Sequence, residues 1–239
     1  PPPASWDAIL RLGQPLAFPA ASLQSLTTIL LYQSLGGETE DAQRRPVLKS
    51  DLLRQVFELY RQTADRGVFP TWLSQYENDA QVWQIYQEKR VDAVFTWSSY
   101  YLMSSEPDNS ILPIPSPGGE AASLATGWVW AVTDPIPERR ALSFELVEWL
   151  SAAEFLAKWT EAAGYLPTRP SALAGWQNQN LKAVLSQVAS VAKPRPSNDL
   201  MSSLGPILRE SSLKVIRLEA EPQQAAIQAA ERLANPPQP

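Results

Sequence analysis

The sequence contains neither cysteine nor histidine. The absence of cysteine excludes disulfide bonds, thiolate metal sites and cysteine nucleophiles. The absence of histidine excludes a Ser-His-Asp triad and removes the usual ligand of zinc and non-haem iron. Carboxylates alone can bind a hard cation, but no group of Asp and Glu residues has the spacing of an EF-hand loop. We therefore predict neither a cofactor nor a metal site.

Long apolar runs and clusters of basic residues are also missing. No run approaches the roughly 20 residues that span a bilayer, and no basic grouping is longer than two residues, as in Lys89-Arg90. With a net charge of -5, the chain is not expected to bind nucleic acid, whose phosphates require clustered Lys and Arg. A hydrophobic content of 44% with 19% charged residues is typical of a globular protein. The 239 residues suffice for one large domain or two small ones.

Short aromatic segments, by contrast, occur at three places in the sequence. Residues 96–101 are Thr-Trp-Ser-Ser-Tyr-Tyr, residues 127–130 are Gly-Trp-Val-Trp, and residues 164–169 are Gly-Tyr-Leu-Pro-Thr-Arg. The first two segments flank a proline-rich stretch, 111–119. Trp and Tyr combine a flat apolar face with a hydrogen-bonding group, so they suit ligands that are apolar on one side and polar at the rim. The pattern favours a binding cleft over a catalytic centre.

Helices dominate the predicted secondary structure, and short strands lie between them. β-branched and aromatic residues predict strands over 91–97, 111–115 and 124–133. Two helices are predicted over 137–163, and the residues assigned to their buried faces are Phe144, Val147 and Leu150, then Phe155, Leu156 and Trp159. Ser5 is predicted to cap a helix over 6–12, and Asn78 or Asp79 to open another. Together these elements predict an α/β or α+β fold.

Five segments carry a resemblance to a known family. Residues 3–10, Pro-Ala-Ser-Trp-Asp-Ala-Ile-Leu, look like a "P-x-T-W-[DE]-E-L" helix, and residues 91–97 look like a strand ending in Trp. Residues 111–115 look like a crossing between lobes, residues 127–132 like a "G-G-x-x-x-A-V" strand, and residues 141–163 like a pair of helices that precedes "G-x-L-P-[TV]-R". In this order they resemble the extracellular solute-binding proteins of ABC importers, the family that includes maltose-binding protein.

The resemblance implies an α/β fold of the periplasmic-binding-protein type II kind. Residues 1–112 and 176–239 would form a complete second lobe, residues 120–175 part of a first lobe, and residues 113–119 the hinge crossing. The family carries further residues before its "T-W-[DE]-E-L" helix, and these build most of the first lobe. The chain begins instead at Pro1 in a run of three prolines, without an initiator Met, which predicts a fragment or a processed chain. An incomplete lobe would expose apolar surface, and it could dimerise or swap with a neighbour.

Nine residues are the candidates for ligand contact. They are Trp97, Ser98, Tyr100, Tyr101, Trp128, Trp130, Tyr165, Trp72 and Tyr76. Each has an alternative as a packing residue: the group at 97–101 as an aromatic cap on a strand, and Tyr165 as part of a proline-fixed turn. On a strand, Trp128 and Trp130 would lie on the same face, which is either the cleft wall or a contact with helices. Five other tryptophans are assigned to packing, and these are Trp6, Trp83, Trp149, Trp159 and Trp176.

The leading hypothesis is a substrate-binding component of an ABC importer. Its partners would be a sugar or other small solute and a membrane permease, and it would lie outside the cytoplasm, lipid-anchored in the full-length protein. One alternative is a glycoside hydrolase that uses two carboxylates such as Glu77 and Asp79 as acid and base, although nothing in the sequence selects that pair. The other is an interaction domain that keeps the fold and has lost the ligand.

Overall fold

The computed structural model describes residues 3–104 and 109–235. These residues divide into two compact units that we treat separately. Unit 1 contains residues 3–96, 113–124 and 193–235, and unit 2 contains residues 97–104, 109–112 and 125–192. The chain therefore passes between the units at four points. These boundaries differ from the lobe limits that the resemblance implied, so the assignment of lobes stays a prediction.

Unit 1 is built mainly from helices. They are α1 (Trp6–Leu12), α2 (Leu26–Ser34), α3 (Ser50–Asp65), α4 (Asp79–Gln87), α10 (Asn198–Ile216) and α11 (Pro222–Ala234), with a 3-10 helix at Thr71–Gln75. Its strands are β1 (Leu16–Ala17), β2 (Ala93–Val94), β3 (Ile114–Pro115) and β4 (Ala121–Ala125), of which Ala125 already belongs to unit 2. A further strand, β5 (Ala192–Pro194), begins at the last residue of unit 2.

Local sequence explains where the first helices of unit 1 begin. The Ser5 hydroxyl accepts a hydrogen bond from the backbone N–H of Ala8 at 3.3 Å, as the sequence predicted. Asn78 and Gln81 form a reciprocal capping box at the start of α4, which confirms the predicted opening of that helix. The helices α3, α10 and α11 then pack against one another, and α2 packs against α3. Their apolar faces meet in one core that includes Phe18, Phe57, Tyr60 and Phe69.

The strands are shorter than the sequence predicted. β1 and β2 pair in parallel with Leu16 opposite Ala93 and Ala17 opposite Val94. Pro15 and Pro19 flank β1 and lack a backbone N–H, so this ladder is limited at both ends. Of the predicted strand at 91–97, only Ala93–Val94 is formed, and the N–H of Phe95 then donates to the carbonyl of Ala17. The strands β3, β4 and β5 form a second small sheet, in which β3 and β4 are antiparallel.

Unit 2 is helical, and much of its apolar surface is exposed. Its helices are α5 (Ser98–Leu102), α6 (Pro137–Leu150), α7 (Ala153–Ala163), α8 (Pro170–Ala174) and α9 (Gln179–Ser190). The two predicted helices at 137–163 are present, but the predicted burial of Phe144 is wrong, because α6 has no buried residue. The assignments of Trp149 on α6 and Trp159 on α7 to the core are also wrong, since both side chains are exposed.

The predicted strand at 124–133 is also not formed beyond Ala125. Residues 126–133 lie outside every helix and strand of the described chain. Trp128 and Trp130 therefore do not lie on a strand face as expected. A strand requires a neighbour to accept and donate its backbone hydrogen bonds, and the described residues offer none at this position.

Candidate ligand-binding site

Most of the candidate residues lie in unit 2, around its small core. This core contains Leu156, Leu173, Trp176 and Leu185, with Leu102 from α5 and Leu166 packed against it. Leu102 directly follows Tyr100 and Tyr101 in the sequence, and Leu166 directly follows Tyr165. The packing of two leucines on one core thus fixes the backbone positions of three candidate tyrosines.

A glycine brings the end of α5 close to Tyr165. Gly164 ends α7 in the left-handed conformation, with φ of 70°, which glycine adopts without steric cost. A Cβ atom added at this position would lie 2.5 Å from Cγ of Met103, the residue that ends α5. The backbone N–H of Tyr165 then donates to the carbonyl of Thr160 at 3.0 Å and closes the turn. A larger residue at 164 would require the Met103 side chain to shift and would adopt a positive φ that only glycine reaches without strain.

Trp128 and Tyr165 are in direct contact. Their ring centroids are 4.9 Å apart and their planes are inclined by 81°, so the edge of one ring meets the face of the other. Trp128 is nevertheless 73% exposed and Tyr165 is half-buried. The pair therefore offers free aromatic surface with a phenolic hydroxyl at its edge. Trp130, two residues further on, is also exposed.

The segment at 97–101 has a different structure from the predicted one. Trp97 is the residue before the first turn of α5, and Ser98, Tyr100 and Tyr101 lie on that short helix rather than at the end of a strand. All four side chains are half-buried. The Tyr101 hydroxyl donates to the backbone carbonyl of Asn109 at 3.3 Å. This hydrogen bond links α5 to the segment that leads into the proline-rich crossing.

Trp72 and Tyr76 belong to unit 1, at the two ends of one 3-10 turn. Their rings meet edge to face at 5.6 Å, and both side chains pack partly against the unit 1 core. The carbonyl of Tyr76 accepts from the N–H of Ala21 at 2.9 Å. The structure thus groups these two residues with each other, and the other seven candidates belong to the second unit.

Tyr76 borders a surface depression of about 240 Å³ in unit 1. Its lining is largely polar and comprises Gln75, Gln81, Gln84, Ile85, Glu88 and Arg90 besides Tyr76. The Gln81 side chain is already engaged in the cap of α4, and the Gln84 amide donates to Glu88 at 2.8 Å. Sequence reasoning missed these residues. The lining could have been predicted from the spacing of Gln81, Gln84 and Glu88, because residues three and four positions apart lie on one face of a helix.

Of the two carboxylates of the hydrolase alternative, that of Asp79 has a structural contact. Asp79 lies in the first turn of α4, and its Oδ1 accepts a hydrogen bond from the Thr96 hydroxyl at 2.9 Å. Glu77 is exposed, and its backbone N–H donates to the Gln81 side chain. In the part of the chain that the structure describes, no three Asp and Glu residues form a group that could hold a metal ion.

Comparison with protein families decides the class of this chain. The model of a family described as bacterial extracellular solute-binding protein matches residues 1–184, well over half of the sequence. The chain belongs to this family. The resemblance inferred from short motifs is thereby confirmed, and the family description indicates a location outside the cytoplasm.

Solved structures of solute-binding proteins share the fold. The chain is similar to maltose-bound MalE3 of T. maritima, with a TM-score of 0.72, 17% identity, and coverage of 98% of this chain and 66% of the other. The cyclic α-maltosyl-1,6-maltose binding protein from Arthrobacter globiformis gives a TM-score of 0.72 at 16% identity, covering 98% and 64%. The maltotriose-bound MalE domain from Bdellovibrio bacteriovorus gives 0.66 at 18% identity, covering 98% and 66%. The predicted α/β solute-binding fold, with one lobe incomplete, is confirmed.

Two further findings set the scope of the comparison. The chain spans just under two thirds of the length of these solved structures. Among curated proteins, none matches the sequence.

Over the described ranges 3–104 and 109–235, no helix is both long enough and apolar enough to cross a membrane.

Proposed function

We propose that this solute-binding chain is part of the substrate-binding component of an ABC importer that takes a sugar or oligosaccharide. Family membership supports a small solute as the ligand, and several solved structures with this fold contain bound sugars. The component would deliver its solute to a membrane permease from the extracytoplasmic side, held there by a lipid anchor. No covalent chemistry is required of it.

The contact between Trp128 and Tyr165 carries the proposal. A pyranose ring has an apolar face and a polar rim, and an exposed indole beside a phenol presents the matching surfaces. Trp97, Ser98, Tyr100 and Tyr101 would add aromatic surface and hydroxyl groups from α5, because the Gly164–Met103 contact holds α5 near Tyr165. Trp130 would extend the aromatic surface, and Trp72 and Tyr76 stay candidates for ligand contact within unit 1. In this proposal, residues 1–112 and 176–239 form the second lobe, 120–175 the first, and 113–119 the hinge.

Calorimetric titration of the full-length gene product tests the proposal. The panel is maltose and longer maltooligosaccharides, with amino acids, polyamines and phosphate esters as competing classes. We expect heat of binding from at least one sugar and from none of the other classes. A folded protein that binds no sugar would refute the sugar assignment, and turnover of an aryl glycoside would refute the non-enzymatic role.

A matched pair of tryptophan variants tests the site. Trp128→Ala removes the exposed ring that contacts Tyr165, and we expect a loss of about 2- to 10-fold in sugar affinity, which corresponds to one aromatic contact. Trp159→Ala is the control, because Trp159 is also an exposed tryptophan of unit 2 but lies on α7. Equal effects of both variants would contradict a site at Trp128.

A further inference from the structure

Residues 1–239 contain two sulfur atoms, and these lie in opposite environments. The sequence has two methionines and no cysteine. Met201 lies on α10 in the unit 1 core and is 4% exposed, whereas Met103 ends α5 in unit 2 and is 71% exposed. Oxidants attack the sulfur atoms that they can reach. Of these two sulfurs, the Met103 thioether is therefore the one that an oxidant in solution reaches first.

The Met103 side chain lies against the turn that leads into Tyr165. A Cβ atom built on Gly164 would lie 2.5 Å from Cγ and 3.6 Å from Sδ of Met103. The thioether thus occupies the space that a side chain at residue 164 would need. Because Gly164 and Tyr165 are neighbours in the sequence, the sulfur lies beside the turn that presents a candidate ligand-binding tyrosine.

The contact joins the ends of two helices of unit 2. The backbone N–H of Met103 donates to the carbonyl of Ser99 at 2.9 Å and closes the last turn of α5, while Gly164 ends α7. Helix α5 carries Tyr100 and Tyr101. The thioether of Met103 is therefore an apolar contact between α5 and the Tyr165 turn, and a chemical change at its sulfur acts on both.

Oxidation of this sulfur requires one oxygen atom from a hydroperoxide. The sulfur lone pair attacks a peroxide oxygen, the O–O bond breaks, and a proton passes to the departing oxygen, so that hydrogen peroxide leaves as water. The sulfur loses two electrons and the peroxide gains them. The product, methionine sulfoxide, carries a polar S–O group where the thioether was apolar.

The sulfoxide does not fit the contact with Gly164. Its oxygen is a hydrogen-bond acceptor, but the N–H groups of Gly164 and Tyr165 already donate to the carbonyl of Thr160. The oxygen must either turn to water or remain unpaired, and an unpaired acceptor is costly. Both outcomes weaken the contact between α5 and the Tyr165 turn.

We propose that Met103 is an oxidation site through which a hydroperoxide weakens ligand binding in unit 2. Met103 is a positioning residue in this role, because it acts through α5 and Tyr165. The family description indicates a location outside the cytoplasm, where conditions are oxidising. Methionine sulfoxide reductases reverse the change, so the site is a switch. The effect on sugar affinity rests on the proposed function, whereas the oxidation and its effect on the turn do not.

Peptide mapping of the full-length gene product, treated with hydrogen peroxide in the absence of sugar, tests the site. We expect Met103 to gain one oxygen atom at least about 10-fold faster than Met201, because its sulfur is exposed. Oxidation of the two methionines at equal rates would overturn the assignment.

Hydrogen exchange of the same ligand-free samples tests the effect on the turn. After oxidation of Met103 we expect the amide of Tyr165 to exchange about 2- to 10-fold faster, because the contact that holds the turn is weakened. Treatment with methionine sulfoxide reductases should restore the original rate. The amides of α3, in the unit 1 core, are the internal control and should not change. An unchanged rate at Tyr165 would overturn the proposal.

Two variants identify the sulfur that is responsible. Met103→Leu removes the exposed sulfur and keeps an apolar side chain of similar size, and Met201→Leu does the same for the buried one. Each variant is compared with itself before and after peroxide. We expect peroxide to accelerate exchange at Tyr165 in Met201→Leu and not in Met103→Leu. An effect that persists in Met103→Leu would identify another oxidised group, such as the exposed ring of Trp128, and would overturn the proposal.

Titration with maltotriose before and after peroxide tests the consequence for binding. We expect oxidation of Met103 to lower the affinity by about 2- to 10-fold, and Met103→Leu to keep its own affinity through the treatment. An affinity that oxidation leaves unchanged would overturn the switch. A protein that binds no maltotriose in either state would instead refute the sugar assignment, and the exchange rate at Tyr165 would then decide whether Met103 controls the turn.

Discussion

The two units contain similar residue types but bury them to very different degrees. In unit 1, Phe18, Phe57, Tyr60 and Phe69 are almost completely buried and their rings contact one another. In unit 2 the buried apolar residues are few, and they come from α7, α8 and α9 together with Trp176. Phe144 and Trp149 of α6 are exposed. The aromatic content of a unit therefore does not determine how many of its side chains are buried, because burial depends on whether other elements cover them.

Two buried tryptophans show the same contrast in their hydrogen bonds. Trp6 of unit 1 is buried, and its indole Nε1–H donates to the carbonyl of Pro115 at 2.7 Å. Trp176 of unit 2 is equally buried, but its Nε1–H has no hydrogen-bond partner in the described chain. An unpaired buried N–H is costly and rare in complete folds. The buried indole N–H of Trp6 in unit 1 is thus hydrogen-bonded, whereas that of Trp176 in unit 2 is not.

The largest difference is expected from truncating matched phenylalanines in the two units. Phe57→Ala removes a fully buried ring from α3 and should lower the free energy of unfolding by about 3–5 kcal/mol. Phe144→Ala removes a ring that is 56% exposed on α6, and the change should stay within about 0.5 kcal/mol. Urea denaturation followed by far-ultraviolet circular dichroism measures both. A cost at Phe144 comparable to that at Phe57 would show that α6 is buried in solution.

The buried hydroxyl network of unit 1 should give the next largest effect. The Thr28 hydroxyl lies 3.0 Å from the Tyr60 hydroxyl and 3.0 Å from the Ser212 hydroxyl, and the network joins α2, α3 and α10. Tyr60→Phe leaves this buried network one partner short, which should cost about 1–3 kcal/mol at pH 7. The control is Tyr76→Phe, at a half-buried ring, with an expected change within about 0.5 kcal/mol. Equal effects of the two variants would contradict the network.

The same variant should change how stability depends on alkaline pH. Burial raises the pKa of the Tyr60 phenol far above its ordinary value, and the hydrogen bond with Thr28 offsets part of that shift. As the pH rises above about 10, the phenol ionises in the unfolded chain but stays neutral in the folded protein. The stability that depends on this group is therefore complete below pH 10 and decreases above it. Tyr60→Phe should reduce the slope of stability against pH in that range, as measured by urea midpoints.

Local signals in the sequence were sufficient for the longer helices of both units. Ser5 and Asn78 cap helices as predicted, because their side chains satisfy N–H groups only two or three residues away. The strands depended on distant residues instead. Residues 126–133 have the composition of a strand, but they form none because the described chain supplies no partner. The prediction that α6 has a buried face was wrong for the same reason. Helical periodicity indicates that a helix has an apolar face, but it does not show whether other residues cover that face.

The candidate site was predictable in part. The sequence singled out Trp128 and Tyr165 as candidates, and the structure brings their side chains into contact although 36 residues lie between them in the sequence. The helical conformation of 98–102 was not predicted, because strand-forming residues before Trp97 outweighed the two serines after it. The polar face of α4 at Gln81, Gln84 and Glu88 was overlooked, since the search was directed to aromatic residues.

The smallest expected effect compares one aromatic pair from each unit. Trp6 and Phe69 of unit 1 meet edge to face with centroids 6.0 Å apart, and both are buried. Trp128 and Tyr165 have nearly the same geometry, but the Trp128 ring is mostly exposed. Double-mutant cycles with leucine at each position measure the coupling within each pair. We expect a coupling free energy of about 0.5–1.5 kcal/mol for the buried pair. For the exposed pair we expect about 0.5 kcal/mol or less, because water competes for the Trp128 surface.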